Sequence, residues 1–77
     1  MVTLSTLPVN ACGIIRFIDL DRHTKMRLLE LGFIKGTKIK IKSVAPLGDP
    51  IEIQIKGHSS SIAVRKEDAF KILVTPI

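Results

Sequence analysis

The sequence predicts a mainly β fold, a small five-stranded β-barrel with one short α-helix between the first two strands. Two stretches, 38–42 and 51–56, alternate isoleucine with polar residues, as half-buried strands do. The link between them, "APLGDP" at 45–50, consists of turn residues and predicts that the two strands form a hairpin. In a small sheet whose strands each have an apolar and a polar face, curling into a barrel is the simplest way to leave no unpaired edge strand.

The length and composition predict one domain over 1–77. The chain has 77 residues, of which 45% are hydrophobic and 25% charged, and this suits a small globular module. Its single cysteine, Cys12, cannot form an internal disulfide, and the start has no long apolar stretch, so we expect a cytoplasmic protein. No apolar run approaches the roughly 20 residues that a membrane span needs.

The first third of the chain predicts a lead-in, a strand and a helix. Residues 1–11 have no hydrophobic period and are interpreted as an extended lead-in. "CGIIRFID", at 12–19, is rich in β-branched and aromatic residues and predicts the first strand. We predict the helix over 21–32, because Asp21 can accept hydrogen bonds from the free N–H groups at its start and Gly32 can adopt the left-handed conformation at its end.

The hairpin follows Gly36, and its two strands have an apolar and a polar face. Its isoleucines are predicted to face the core: Ile39, Ile41, Ile51, Ile53 and Ile55. Its charged and amide side chains are predicted to face solvent: Lys38, Lys40, Lys42, Glu52, Gln54 and Lys56.

The rest of the chain predicts two more strands. "SIAVR", at 61–65, has Ile62 and Val64 on one side, and "KEDA", at 66–69, resembles a single helical turn. "FKILV", at 70–74, is predicted to close the sheet with Phe70, Ile72 and Val74 facing inward.

The predicted helix carries two apolar stripes. At 100° per residue, Leu28 and Leu31 lie within one arc. Met26, Leu29 and Phe33 lie on nearly the opposite arc. Either the barrel covers one stripe and the N-terminal segment the other, or one stripe binds a partner. Met26 and Leu29 are therefore candidate partner-binding residues.

The lysine row at Lys38, Lys40 and Lys42 has two interpretations. Twelve basic against seven acidic residues give the chain a net charge of +5, which favours an anionic partner. Lysines at every second position are also what any exposed strand shows, and Glu52 on the neighbouring strand can pair with one of them. The lysine row therefore identifies the solvent-exposed face of the strand but not a ligand. The three lysines stay candidates for partner binding.

The sequence favours a binding module over an enzyme or a metalloprotein. Cys12, His23 and His58 are far apart and have no metal-ligand spacing, so no metal or other cofactor is predicted. The serines at 59–61 beside His58 are interpreted as a flexible turn, and no phosphate-binding glycine motif occurs. Trp and Tyr are absent, and the three phenylalanines lie where core residues are expected, which argues against stacking of nucleic-acid bases.

The chain contains "LLELG" at 28–32, Gly36, "APLGDPI" at 45–51, and the residues Arg65, Ala69, Ile72 and Val74. In their order and spacing these motifs resemble the FeoA family, ferrous iron transport protein A. The resemblance covers nearly the whole chain, from 7 to 74. Lys35 departs from the family, which often has Pro before that glycine. The resemblance implies an SH3-like barrel in the cytoplasm that acts with FeoB, the membrane ferrous-iron transporter with a cytosolic GTPase domain. It adds the turn residues Pro46, Leu47, Gly48 and Asp49 to the candidate partner-binding residues.

A second function class stays open, a basic small barrel that binds RNA or DNA. Salt distinguishes the two, because phosphate contacts weaken steeply with ionic strength whereas a protein interface with an apolar centre weakens much less. The sequence leaves open weak self-association, and whether the module activates, inhibits or assembles the transporter.

Overall fold

The computed structural model describes residues 1–77, with six strands and two α-helices. The strands are β1 (Val2–Thr3), β2 (Cys12–Ile18), β3 (Lys38–Val44), β4 (Ile51–Ile55), β5 (Ser61–Val64) and β6 (Ile72–Pro76). The helices are α1 (Arg22–Glu30) and α2 (Lys66–Ala69), and two short 3-10 turns cover Leu4–Thr6 and Pro46–Gly48. All strand pairs are antiparallel, in the order β1-β6-β2-β3-β4-β5.

The mainly β prediction is confirmed, but the five-stranded barrel needs correction. A sixth strand, β1, pairs with β6 through Val2 and Thr3, so α1 lies between the second and third strands. Two residues are too few to show a period, which is why this strand was not predicted. The sheet is also unclosed, since β1 and β5 stand at opposite ends of the strand order.

Helix α1 begins as predicted and ends earlier than predicted. The Asp21 carboxylate accepts a hydrogen bond from the Thr24 N–H at 3.0 Å, which caps the helix start. The last helical residue is Glu30, and Gly32 then has a φ of +93°, a left-handed conformation that favours glycine.

One core of 14 buried residues lies beneath the sheet. All five predicted inward isoleucines of the hairpin are in it, as are Val64, Ile72 and Val74. The lead-in contributes Leu4, which is fully buried in its 3-10 turn. Ile62 is only partly buried and packs against the core from the edge strand β5.

Candidate functional site

Phe17 faces solvent because β2 contains a bulge. Ile15 pairs with Val74 on β6, and Phe17 pairs with the adjacent residue, Leu73, so Arg16 is an extra residue in the ladder. One extra residue shifts the alternation of side chains by one position. Phe17 is therefore 55% exposed, and Ile18 is buried instead. The prediction that Phe17 lies in the core is wrong.

Phe70 is a second exposed aromatic residue. It follows α2 and keeps a right-handed helical conformation, with φ −65° and ψ −20°, and β6 begins only at Ile72. The alternation that would bury it has therefore not yet started, and its side chain is 57% exposed. The prediction that Phe70 faces inward is wrong for this reason.

Phe17 is the shared wall of two shallow depressions. We call their five solvent-accessible apolar side chains the Phe17 surface. One depression, of about 290 Å³, has Leu29 of α1 and Ile34 on its wall. The other, of about 220 Å³, has Phe70 and Leu73 on its wall. The Phe17 surface thus consists of Phe17, Leu29, Ile34, Phe70 and Leu73.

Cations surround the Phe17 surface. Arg16, Lys25 and Lys35 line the first depression, and Lys71 and Asp19 line the second. Arg16 is held in place, since its Nε donates a hydrogen bond to the Thr75 hydroxyl at 2.9 Å. An apolar centre with a polar rim is the usual arrangement of a protein interface. Four cations and one carboxylate make this rim basic, so it suits an acidic partner face.

The two helix stripes are not distributed as predicted. Leu28 is buried while Leu31 of the same stripe is half exposed. Phe33 is buried because the helix ends before it, so the 100° spacing no longer applies there. Of the candidate residues, Leu29 lies on the Phe17 surface and Met26 is exposed on the same helix.

The lysine row divides into two environments. Lys42 occupies a second bulge, between Ile41 and Ser43 of β3, and its Nζ lies 3.7 Å from Glu52 Oε1. The predicted possibility that Glu52 pairs with one of the lysines is confirmed for Lys42. Lys38 and Lys40 instead line a shallow depression on the outer face of the sheet.

The structure shows how Glu52 is held. Ser61 donates a hydroxyl hydrogen bond to Glu52 Oε1 at 2.6 Å, and Ser43 donates one to Oε2 at 3.2 Å. The hydrogen bond from Ser61 contributes most to lowering the pKa of the Glu52 carboxyl below its ordinary value. The hydrogen bond from Ser43 and the positive charge of Lys42 lower this pKa further. Ser61 is the first residue of β5, which confirms the strand predicted over 61–65, so the serine turn predicted over 59–61 does not include Ser61.

The turn at Pro46–Gly48 presents a fully exposed leucine. Leu47 is 100% exposed and has a φ of +70°, a conformation that L-residues seldom adopt. Asp49 fixes the turn to the rest of the molecule, because its Oδ1 accepts a hydrogen bond from the Lys66 N–H at the start of α2. The turn therefore holds Leu47 away from the core.

The histidine, cysteine and acidic side chains that could bind a metal ion or act as nucleophiles do not come together in a site. No three His, Cys, Asp or Glu side chains come together in a way that could hold a metal ion. His58 is exposed and its ring lies over Gly32 at the end of α1. Cys12 is a free, half-buried thiol on β2. No helix is long and apolar enough to cross a membrane.

Comparison with known proteins gives a consistent result. The family model described as FeoA domain matches residues 2–76. A curated relative, the Fe(2+) transport protein A/Fe(2+) transporter FeoB fusion protein of Porphyromonas gingivalis, is 40% identical over 50 residues. The match covers 65% of this chain and 6% of that much longer protein.

Solved structures agree in fold. The FeoA protein of Chlorobium tepidum superposes with a TM-score of 0.91 at 30% identity, over 99% of this chain and 70% of that one. The FeoA of Stenotrophomonas maltophilia, described as an SH3 domain protein and complexed with zinc, superposes with a TM-score of 0.75 at 29% identity. That match covers 96% of this chain and 89% of the other.

Proposed function

This chain belongs to the FeoA domain family, and on that premise we propose that it is a small cytoplasmic accessory protein that binds the cytosolic side of the ferrous-iron transporter FeoB. The observation that carries the proposal is the Porphyromonas gingivalis relative, in which protein A and FeoB are one fused chain. Fusion keeps two parts at a high effective concentration, which benefits parts that bind each other. The chain would act by binding and not by catalysis.

We assign the contact with FeoB to the Phe17 surface. Two half-exposed phenylalanines beside Leu29 and Ile34 form an apolar centre, and aromatic side chains are common at the centres of interfaces. The basic rim of Arg16, Lys25, Lys35 and Lys71 would then meet an acidic face of the transporter. Met26, which is exposed on the same helix as Leu29, and the exposed Leu47 are candidates for additional contacts.

Capture of FeoB from membranes of the native cell tests this proposal. Immobilised wild-type protein should retain FeoB, identified by mass spectrometry, with and without guanine nucleotide. Phe17→Ser should stay folded, because the ring is half exposed, and should lose most of the captured FeoB. Val44→Ser is the matched control, since Val44 is an exposed apolar strand residue that lines neither depression. Equal capture by Phe17→Ser and wild type would place the contact elsewhere.

Exposed Phe17 and Phe70 also favour a second candidate function, the binding of single-stranded nucleic acid. The sequence argument against it assumed buried phenylalanines, yet both rings are exposed beside Arg16 and Lys71. Bases stack on such rings while cations contact the phosphates. Fluorescence titration with a single-stranded oligonucleotide at increasing salt distinguishes the two functions. Binding that is lost steeply with salt and with Phe70→Ser would support nucleic acid.

A further inference from the structure

A depression that shares no residue with those of the Phe17 surface carries three lysines. It lies on the outer face of β3 and β4 and has a volume of about 300 Å³. Lys38 and Lys40 of β3 line it together with Lys56, which follows β4. Gln54, opposite Lys40, and Cys12 complete its polar wall. We call this the lysine depression.

Strand pairing places the three lysines close together on one face of the sheet. The Lys56 N–H donates to the Lys38 carbonyl at 3.0 Å, which sets these two residues opposite each other across the ladder. Side chains directly opposite each other on one face are about 5 Å apart at their Cβ atoms, and like charges in that position repel. Lys40 stands two residues along the same strand, about 7 Å from Lys38. The fold thus holds three positive charges on one small area.

No carboxylate of the sheet neutralises these charges. Strands β2 to β5 contain one acidic residue, Glu52. It lies 3.7 Å from Lys42 and accepts hydrogen bonds from two serine hydroxyls, and it does not line the depression. A cluster of like charges that lacks a counter-ion within the protein is relieved by an anion from outside.

We infer that the lysine depression binds an anion that carries a chain of phosphate groups. Lysines bind phosphate as point charges, and a phosphate chain spreads its negative charges over several ångströms, as the lysines spread theirs. The Gln54 amide, opposite Lys40, supplies a further donor. Such a chain is found in inorganic polyphosphate and in nucleoside triphosphates, and the two sources share the chemistry that the lysines recognise.

Thermal unfolding at constant ionic strength tests the inference, with inorganic tripolyphosphate as the probe. A ligand that binds only the folded protein raises the melting temperature in step with ln(1 + c/Kd), where c is the free ligand concentration, and we expect a rise of roughly 5 °C at a few times Kd. Citrate, a multivalent carboxylate, should give a much smaller rise. ATP in place of tripolyphosphate distinguishes the sources: an equal affinity indicates the phosphate chain alone, and a higher one indicates a nucleotide.

Two variants and a matched control complete the experiment. Lys56→Gln and Lys38→Gln should weaken tripolyphosphate binding in calorimetric titration by roughly tenfold or more. In buffer without the anion they should melt at or above the wild-type temperature, since they remove repulsion. Lys42→Gln, which changes a lysine that is paired with Glu52, should bind as wild type does. The inference would be overturned if tripolyphosphate did not raise the melting temperature, or if citrate raised it equally. It would also be overturned if Lys42→Gln lost as much affinity for tripolyphosphate as the two variants, or if the two variants melted below wild type without the anion.

Discussion

At the scale of single residues, Glu52 connects three strands through one carboxylate. Ser61 of β5 and Ser43 of β3 donate hydroxyl hydrogen bonds to it, and Lys42 adds an ion pair. All of these interactions favour the ionised form, so the pKa of Glu52 in the folded protein lies below its ordinary value of 4.5. In the unfolded chain the carboxyl has no such partners.

This difference predicts a pH dependence of stability. Because the folded pKa is the lower one, the unfolded chain binds more protons in this range, and stability that is present above about pH 4.5 is lost as the pH falls through the folded pKa. Glu52→Gln cannot titrate. Its difference from wild type in the free energy of unfolding should therefore be constant near neutral pH and shrink in acid, as measured by urea denaturation between pH 2.5 and 7. Ser61→Ala, which removes the strongest hydrogen bond, should reduce this pH dependence partially. A difference that is the same at pH 3 and pH 7 would contradict this account.

At the scale of elements, helix α1 ends because glycine permits a left-handed turn. Gly32 and Gly36 have nearly the same φ, +93° and +92°, but different surroundings. A Cβ at Gly32 would come within 3.0 Å of the His58 ring, whereas a Cβ at Gly36 would meet nothing within 4 Å. The pair therefore separates backbone strain from side-chain crowding.

We predict that Gly36→Ala destabilises the protein by about 1 kcal/mol through backbone strain alone. Gly32→Ala should lower the free energy of unfolding by more than Gly36→Ala does, because the His58 ring must also move away from the new methyl group. Urea denaturation of both variants checks this, and His58→Ala in the Gly32→Ala background should remove the excess. Wild-type stability of Gly32→Ala would mean that the helix end does not need a left-handed residue there.

The elements also show what could be predicted from the sequence. β4 has no bulge between Ile51 and Ile55, so strict alternation predicted its buried face correctly. In β2 the extra residue Arg16 reverses the alternation, and a bulge is a property of strand pairing that a single strand's pattern does not reveal. The Phe17 surface was missed for that reason. Phe70 carried one usable signal, because it directly follows the correctly predicted helical turn at 66–69.

At the scale of the whole molecule, the sheet brings the two ends of the chain together. Val2 pairs with Val74 and Thr3 with Leu73, so β1 and β6 join the most distant parts of the sequence. The loop at 57–60, between β4 and β5, is exposed throughout. Contacts between distant segments carry a large loop-closure entropy, which slows folding.

Because the two ends of the chain are adjacent, the same fold can form from a chain whose segments follow one another in a different order. We predict that a circular permutant, with residues 77 and 1 joined by a short Gly/Ser linker and new ends opened between Ser59 and Ser60, folds cooperatively to the same sheet. In the permutant the pairings of β6 with β1 and with β2 become local, while the shorter pairing of β4 with β5 becomes long-range. The mean sequence separation of contacts therefore falls, and refolding in stopped-flow experiments should be faster than in wild type. Non-cooperative unfolding of the permutant would show that the order of the strands along the chain, and not only their pairing, determines this fold. A domain whose ends meet in this way can also be inserted into a loop of another protein without pulling that loop open.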